Sequence, residues 1–91
     1  MGYEIEFSSD ARKGIELHKK SGNKLALKKI NELIDELYDN PRTGTGHPEH
    51  LKYFTDVERW SRHITKKHRL VYDIEDDEVV VLVVSAYGHY E

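Results

Sequence analysis

The sequence VVVLVV at residues 79–84 is the longest apolar run of the chain. A strand that is apolar at every position buries both of its faces, so the run predicts a central β-strand, which we extend over residues 79–86. Its six residues are far fewer than the roughly 20 that a membrane-spanning helix needs. The run therefore predicts a sheet at the centre of the fold and no membrane attachment.

The chain on the N-terminal side of this run is predicted to supply the other strands of an antiparallel-rich sheet. Tyr3–Phe7 alternates apolar and acidic residues, which is typical of a half-buried strand. Lys66-Lys67 and Glu75-Asp76-Asp77 are predicted turns. Three more strands are predicted over residues 51–54, 59–65 and 68–74.

Two helices are predicted between the first strand and the rest of the sheet. The longer one ends at Asn40, because the residue before a proline avoids the helical region. The shorter one begins at the cap candidates Ser8, Ser9 and Asp10 and ends near Lys20, with His18 on its surface. The apolar positions of the longer helix recur at helical spacing and are Leu27, Ile30, Leu33, Ile34, Leu37 and Tyr38.

The order β-α-α-β-β-β-β predicts an α+β fold, with two N-terminal helices packed on one face of the sheet. Residues 1–91 are predicted to form a single domain. The opposite face of the sheet is predicted to be free for function. The chain contains no cysteine, which excludes disulfides, a thiolate metal site and a cysteine nucleophile, and which fits a cytoplasmic protein.

Charge is unevenly distributed along the chain. The formal net charge is −3, yet residues 41–72 hold seven basic and three acidic residues. Residues 73–91 hold six acidic residues and no Lys or Arg. The middle of the chain therefore predicts either a solvated basic hairpin or a basic stripe that follows the phosphates of a nucleic acid.

The middle and the end of the chain contain the residue types that RNA cleavage without a metal needs. Such cleavage requires a base for the 2′-hydroxyl proton, an acid for the leaving 5′-oxygen and a cation beside the phosphoryl oxygens. Glutamate, histidine and arginine suit these roles. The C-terminal segment AYGHYE at residues 86–91 is either aromatic packing against the sheet or a platform that stacks bases beside a titratable imidazole.

Four segments of the chain also form a recognisable series. They are KKINELI at 28–34, GTGHPEHLK at 44–52, WSRHITKKHRLVY at 60–72 and HY at 89–90. In this order and at these intervals they resemble the YoeB-like toxins of the RelE/ParE toxin–antitoxin superfamily. The resemblance implies a ribosome-dependent mRNA endonuclease with a RelE-like, microbial-ribonuclease-like α+β fold.

The resemblance assigns catalytic roles to four residues. Glu49 is expected to be the general base on the 2′-hydroxyl, and Arg69 is expected to stabilise the phosphoryl charge. His89 is expected to be the general acid, and Tyr90 to orient or stack the substrate. No metal or other cofactor is implied. The expected RNA contacts are Lys52, Arg62, His63, Lys66 and Lys67.

The sequence departs from the family pattern at three positions. Glu91 follows Tyr90, where the best-known relatives end at the tyrosine. Gly88 stands where a bulky residue is expected before the histidine. His63 stands where a second arginine is common.

The resemblance implies partners as well. It predicts a cognate YefM-like antitoxin whose acidic, partly disordered segment covers the basic cleft. It also predicts binding to the 70S ribosome and mRNA, a homodimer, contact with DNA only through the antitoxin, and a cytoplasmic location.

Other interpretations of the same residues remain open at this stage. ParE-like relatives bind DNA gyrase, and an inactive chain would act only as an antitoxin-bound co-repressor. The set Glu49, Arg69, His89 and Tyr90 favours the nuclease. The histidines flanking Glu49, at positions 47 and 50, form a weak zinc pattern. Trp60 is predicted to be a core residue, and His68 is either a packed strand residue or a neighbour of a phosphate.

Overall fold

The computed structural model describes residues 2–88 and has an α+β fold, as predicted. Two helices follow the first strand, and four strands follow the helices. The elements are β1 (Glu4–Phe7), α1 (Ser9–Lys20), α2 (Lys24–Leu37), β2 (Glu49–His50), β3 (Glu58–His63), β4 (Arg69–Glu75) and β5 (Val80–Ser85).

The strands form one sheet in the order β1-β5-β4-β3-β2. β5 lies between β1, to which it runs parallel, and β4, to which it runs antiparallel. The pairs β4–β3 and β3–β2 are antiparallel. The interior position that the apolar run predicted for β5 is therefore confirmed, as is the antiparallel-rich sheet.

Both helices contribute to a core on one face of this sheet. Residues of β3 and β4 alternate between the faces, and Leu70, Tyr72 and Ile74 point into the core with Trp60 packed against it. The helices add Ala11, Ala26, Ile30, Leu33 and Leu37. Burying each Leu or Ile side chain contributes roughly 1.5–3 kcal/mol, so this core stabilises the packing of the helices on the sheet.

The predicted strand at residues 51–54 is wrong. The strand is Glu49–His50, which pairs with Ser61 and Trp60 of β3. The N–H of Leu51 still donates to Arg59 O at 2.8 Å, but the N–H of Phe54 then donates back to Leu51 O at 3.2 Å. This local bond turns the chain away from β3 and ends the pairing.

The face of the sheet opposite the helices is less free than predicted. Val71 is fully buried and Asp73 is 4% exposed, although both lie on that face. Arg59 pairs with Asp73 at 2.6 Å and stacks its guanidinium 4.6 Å from the Phe54 ring. The turn after β2 therefore covers the middle of this face.

The helix α1 differs from its prediction at one position. Ser8 caps it, as expected, by accepting a hydrogen bond from the N–H of Ala11. His18, predicted at the surface, is 1% exposed. The side chain is buried because its Nε2 donates to Ala86 O, just after β5, at 2.9 Å. Within residues 2–88, neither helix has the length and apolarity that crossing a membrane requires.

Candidate active site

Three neighbouring strands bring predicted site residues together at one corner of the sheet. Glu49 is on β2, His63 on β3 and Arg69 on β4. Glu49 pairs with Ser61, two residues before His63, and His63 pairs directly with Arg69. Because paired residues point to the same face of a sheet, all three side chains lie on the face opposite the helices.

His63 and Arg69 are joined by a hydrogen bond of 2.9 Å between His63 Nδ1 and Arg69 Nη1. A guanidinium has donors and no acceptor, so Nδ1 of His63 is the acceptor and carries no proton. The imidazole therefore orients Arg69 as a neutral ring with its proton on Nε2.

The surroundings of His63 favour this neutral form. Burial lowers the pKa of His63 below its usual value near 6.5, and electrostatic interactions with Arg69 and His47 lower this pKa further, while the interaction with Glu49 opposes them. The His47 ring meets the His63 ring edge-on at 5.7 Å between centroids. The corner thus holds the guanidinium of Arg69, the carboxylate of Glu49 and, on the strand between them, the neutral imidazole of His63 with the His47 ring against it.

The loop before β2 places His47 and Glu49 at this corner. Gly46 has a φ of 85°, and its carbonyl accepts a hydrogen bond from the N–H of His63 at 2.7 Å. A Cβ on Gly46 would lie 3.0 Å from His63 O and 3.1 Å from Leu33 Cδ2. Only glycine fits both the conformation and the space, which gives a physical reason for the second glycine of the Gly-x-Gly pattern.

Arg62 corrects one prediction, because its side chain is fully buried and is not part of the exposed basic surface. It points to the helical face, between Trp60 and Ile64, and all five of its N–H donors are used. Its acceptors are Glu36 Oε1, Tyr72 Oη and the carbonyls of Asn40, Thr43 and Thr45. The alternation of β3 was the signal in the sequence that would have placed Arg62 inside.

Glu36 is a supporting residue that sequence reasoning missed. It accepts hydrogen bonds from the hydroxyl and the N–H of Thr45 and pairs with Arg62 at 2.6 Å. These contacts, those of Thr45 first, lower the pKa of Glu36 despite its partial burial. Arg62 and Glu36 together hold the loop that leads to Glu49.

The arginines of the middle of the chain differ in their partners. Arg42 pairs with Glu58 and Asp76, Arg59 with Asp73, and Arg62 with Glu36. Within residues 2–88, Arg69 has no carboxylate partner. The remaining predicted RNA contacts on the surface are Lys52, Lys66 and Lys67, all of which are exposed.

The predicted His89 and Tyr90 lie outside the described residues, but Gly88, which precedes them, is held at this corner. The carbonyl of Gly88 accepts a hydrogen bond from the N–H of Arg69 at 3.0 Å. Its own N–H donates to His68 Nδ1 at 2.8 Å. His68 is therefore a packed residue with a defined structural bond.

The weak zinc pattern around Glu49 is not assembled. His50 points to the helical face and stacks on Trp60, with 5.1 Å between ring centroids, whereas Glu49 points to the other face. In the part of the chain that the structure describes, no three His, Cys, Asp or Glu side chains are grouped so as to hold a metal ion. Trp60 packs against the core, as predicted.

Solved structures with the same architecture are toxins. The YoeB of Staphylococcus aureus, solved as a dimer, is 33% identical, with a TM-score of 0.80 over 99% of this chain and 100% of that one. A YoeB chain in a YoeB–YefM complex from the same organism has a TM-score of 0.76 at 33% identity, over 99% of this chain and 100% of that one. The RelE chain of a Pyrococcus horikoshii RelE–RelB complex shares the fold alone, with a TM-score of 0.76 at 15% identity over 97% of this chain and 96% of that one. The class is that of toxins with the fold of YoeB.

The sequence comparison narrows the class to a family. Residues 7–90 match the model of the YoeB-like toxins of bacterial type II toxin–antitoxin systems. The toxin YoeB of Escherichia coli K12 is 44% identical over 68 residues, which are 75% of this chain and 77% of that protein. The chain belongs to the YoeB-like toxin family.

Proposed function

We propose that this toxin is a ribosome-dependent mRNA endonuclease that cuts translated mRNA in the ribosomal A site without a catalytic metal. The observation that carries the proposal is the pairing of Arg69 with a neutral imidazole at the corner that also presents Glu49. Within residues 2–88 no carboxylate pairs with the Arg69 guanidinium, and we propose that its charge is available for a phosphate.

The proposed reaction begins at Glu49. Its carboxylate takes the proton of the 2′-hydroxyl, the 2′-oxygen bonds to the adjacent phosphorus, and the bond from phosphorus to the 5′-oxygen breaks. His89 donates a proton to that leaving oxygen, which yields a 2′,3′-cyclic phosphate and a 5′-hydroxyl. Arg69 stabilises the negative charge that grows on the phosphoryl oxygens.

The spacing of the strands suits this reaction. β2 and β4 are separated by one strand, so their backbones are about 10 Å apart. Glu49 is in register with Ser61 and Arg69 with His63, two residues further along β3, so the two side chains leave the same face at a diagonal. We propose that the phosphodiester binds across β3 between them. Tyr90 is proposed to stack on or orient the substrate.

Three exposed lysines, with His63, are proposed to bind the RNA around this corner. Lys66 and Lys67 lie in the turn between β3 and β4, three and two residues before Arg69, and Lys52 follows β2. The Nε2–H of His63 remains a donor for a phosphate oxygen. Arg62 is not proposed to bind RNA, because its N–H donors all form hydrogen bonds inside the fold.

The proposed partners are a YefM-like antitoxin, a second copy of the chain, and the translating ribosome in the cytoplasm. The relative from Staphylococcus aureus, solved both with YefM and as a dimer, supports the first two. The ribosome follows from the proposed reaction on translated mRNA. DNA is proposed to be bound only through the antitoxin.

A reconstituted translation system tests this function. Wild-type toxin is expected to cut a defined mRNA only while ribosomes translate it, and Glu49→Gln is expected to slow cleavage by about 100-fold. Glu32→Gln, which changes an exposed carboxylate of α2, is the matched control and is expected to cut at the wild-type rate. Intact mRNA with wild-type toxin would contradict the proposal, and a block of DNA gyrase in a parallel assay would favour the ParE-like alternative.

A further inference from the structure

The segment that follows β5, residues 86–88, is held by two histidines from different parts of the chain. His18 of α1 donates from Nε2 to Ala86 O at 2.9 Å, and the side chain is 1% exposed. His68, just before β4, accepts a hydrogen bond from the N–H of Gly88 at 2.8 Å. Both backbone groups would otherwise need water or another partner.

The same two histidines pack with Tyr87, the residue between these bonds. The His18 and His68 rings meet edge-to-face at 4.7 Å between centroids. Tyr87 lies 5.0 Å from the His18 ring and 4.4 Å from the His68 ring. We call His18, His68 and Tyr87 the aromatic clamp.

Helix α1 is shaped to admit this segment. Gly14 is buried, and a Cβ added to it would lie 3.0 Å from Tyr87 Cβ and 3.2 Å from Tyr87 N. Because backbone and Cβ atoms are hard to displace, a side chain at position 14 would push the segment away. The helix therefore approaches the backbone of the segment as closely as glycine allows.

The aromatic clamp lies next to residues that are proposed to take part in cleavage. Gly88 also accepts the hydrogen bond from the N–H of Arg69, and the next residue in the sequence is His89. The hydrogen bonds on both sides of Tyr87 hold the backbone of residues 86–88, which ends at the residue before His89. A displacement of about 1 Å in a catalytic group can cost about 100-fold in rate.

We propose that His18 and His68 are positioning residues that hold residues 86–88 so that His89 reaches the leaving 5′-oxygen. The inference rests on the proposed ribonuclease function. Neither histidine touches the substrate; each acts through a backbone hydrogen bond. The role of His68 requires an unprotonated Nδ1, because the N–H of Gly88 is a donor.

Substitutions can separate the hydrogen bond from the ring packing. His68→Phe keeps a ring beside Tyr87 and removes the acceptor, whereas His68→Asn removes the ring and keeps an acceptor at the position of Nδ1. For single-turnover cleavage on programmed ribosomes, His68→Phe is expected to lose about 10- to 100-fold in rate at unchanged ribosome affinity. His68→Asn is expected to recover most of that loss, because it keeps the acceptor for the Gly88 N–H. His18→Gln is expected to cleave faster than His18→Leu, because the Gln side chain keeps a donor for Ala86 O.

Amide hydrogen exchange at Gly88 gives a readout that does not depend on activity. Losing the hydrogen bond from Gly88 to His68 changes this exchange rate, whereas ring packing alone does not protect the amide. The Gly88 amide is expected to exchange slowly in the wild type and in His68→Asn and quickly in His68→Phe. Thermal unfolding identifies any variant that fails to fold. If a His68 variant fails to fold, the cleavage rates of His18→Gln and His18→Leu and the exchange of the Gly88 amide in those two proteins test the positioning role.

The outcomes distinguish this inference from the proposed function. If wild type cuts mRNA and a folded His68→Phe cuts it equally fast, or if Gly88 exchange is unchanged by that substitution, the positioning role is overturned. If wild type cuts no mRNA, the proposed function fails and the positioning role of the two histidines in cleavage fails with it. Exchange at Gly88 then still shows whether His68 holds the segment.

Discussion

Arg69 donates a hydrogen bond from Nη1 to the Nδ1 atom of His63 at 2.9 Å, between directly paired residues of β4 and β3. Other arginines of the same region are neutralised by carboxylates, as Arg59 is by Asp73. A neutral imidazole orients Arg69 without cancelling its charge. This relationship makes the corner of the sheet suited to binding a phosphate.

Acid is expected to weaken this corner. The pKa of His63 is lowered, by burial first and then by Arg69 and His47, so the folded protein binds this proton less readily than the unfolded chain does. The stability contributed by neutral His63 is fully present above about pH 6.5, and it is lost as the pH falls towards the lowered pKa. Urea unfolding between pH 7.5 and 5 measures this loss.

The control for that titration is His63→Asn, which keeps an acceptor for Arg69 but cannot be protonated. The free energy of unfolding of this variant is expected to fall less steeply with acid than that of the wild type. Equal slopes for the two proteins would show that His63 does not contribute to the pH dependence.

Replacing Arg62 is expected to destabilise the fold. Arg62→Met leaves three backbone carbonyls, Tyr72 and Glu36 without the donors that Arg62 supplies. The expected cost in the free energy of unfolding is about 3 kcal/mol or more. Arg12→Met, at an exposed position of α1, is the control and is expected to cost under about 0.5 kcal/mol. A stable Arg62→Met protein with weakened RNA binding would instead return Arg62 to the RNA-binding set.

The two glycines Gly46 and Gly22 give a matched test of the loop before β2. Both have positive φ, 85° and 72°, but a Cβ on Gly22 meets nothing within 4 Å whereas a Cβ on Gly46 meets His63 O at 3.0 Å. Gly22→Ala is therefore expected to cost only the conformational strain, about 1–2 kcal/mol. Gly46→Ala is expected to reduce the free energy of unfolding by more than this and to slow cleavage, because it displaces the loop that leads to Glu49 on β2. Equal costs would mean that the loop adapts.

Arg69→Ala is expected to remove activity while the fold persists. The loss of the only cation proposed to stabilise the phosphoryl charge should cost about 2.7–4 kcal/mol in the transition state, or roughly 10²–10³ in cleavage rate. Circular dichroism and the unfolding midpoint serve as the check on folding. An Arg69→Ala toxin that still arrests growth at wild-type levels would refute this role.

The order of elements was predictable because it depends on local patterns. Helical spacing marked α2, and the unbroken apolar run marked β5 as an interior strand. The surface positions predicted for His18 and Arg62 were wrong, since the partners that bury them lie far along the chain: Ala86 for His18, and the loop after α2 for Arg62. The resemblance aligned Arg62 with a basic surface, although the alternation of β3 already placed it on the face of Trp60.

The sequence predicted the residues of the candidate site better than the contacts between them, because those contacts depend on how the strands pair. Glu49 and Arg69 came from the resemblance, and strand pairing places them on one face of the sheet. The bond between His63 and Arg69 depends on a β3–β4 register that composition does not reveal. The end of β2 at His50 depends on a turn that is set by contacts of Leu51 and Phe54.

The central claim is the cutting of mRNA by this corner of the sheet, and mapping mRNA 5′ ends in cells after induction tests it most directly. Cells that express the wild type are expected to accumulate new 5′ ends within codons at the ribosomal A site, and cells that express Glu49→Gln at equal levels are expected to lack them. Intact mRNA in arrested wild-type cells, with DNA replication blocked, would contradict the account.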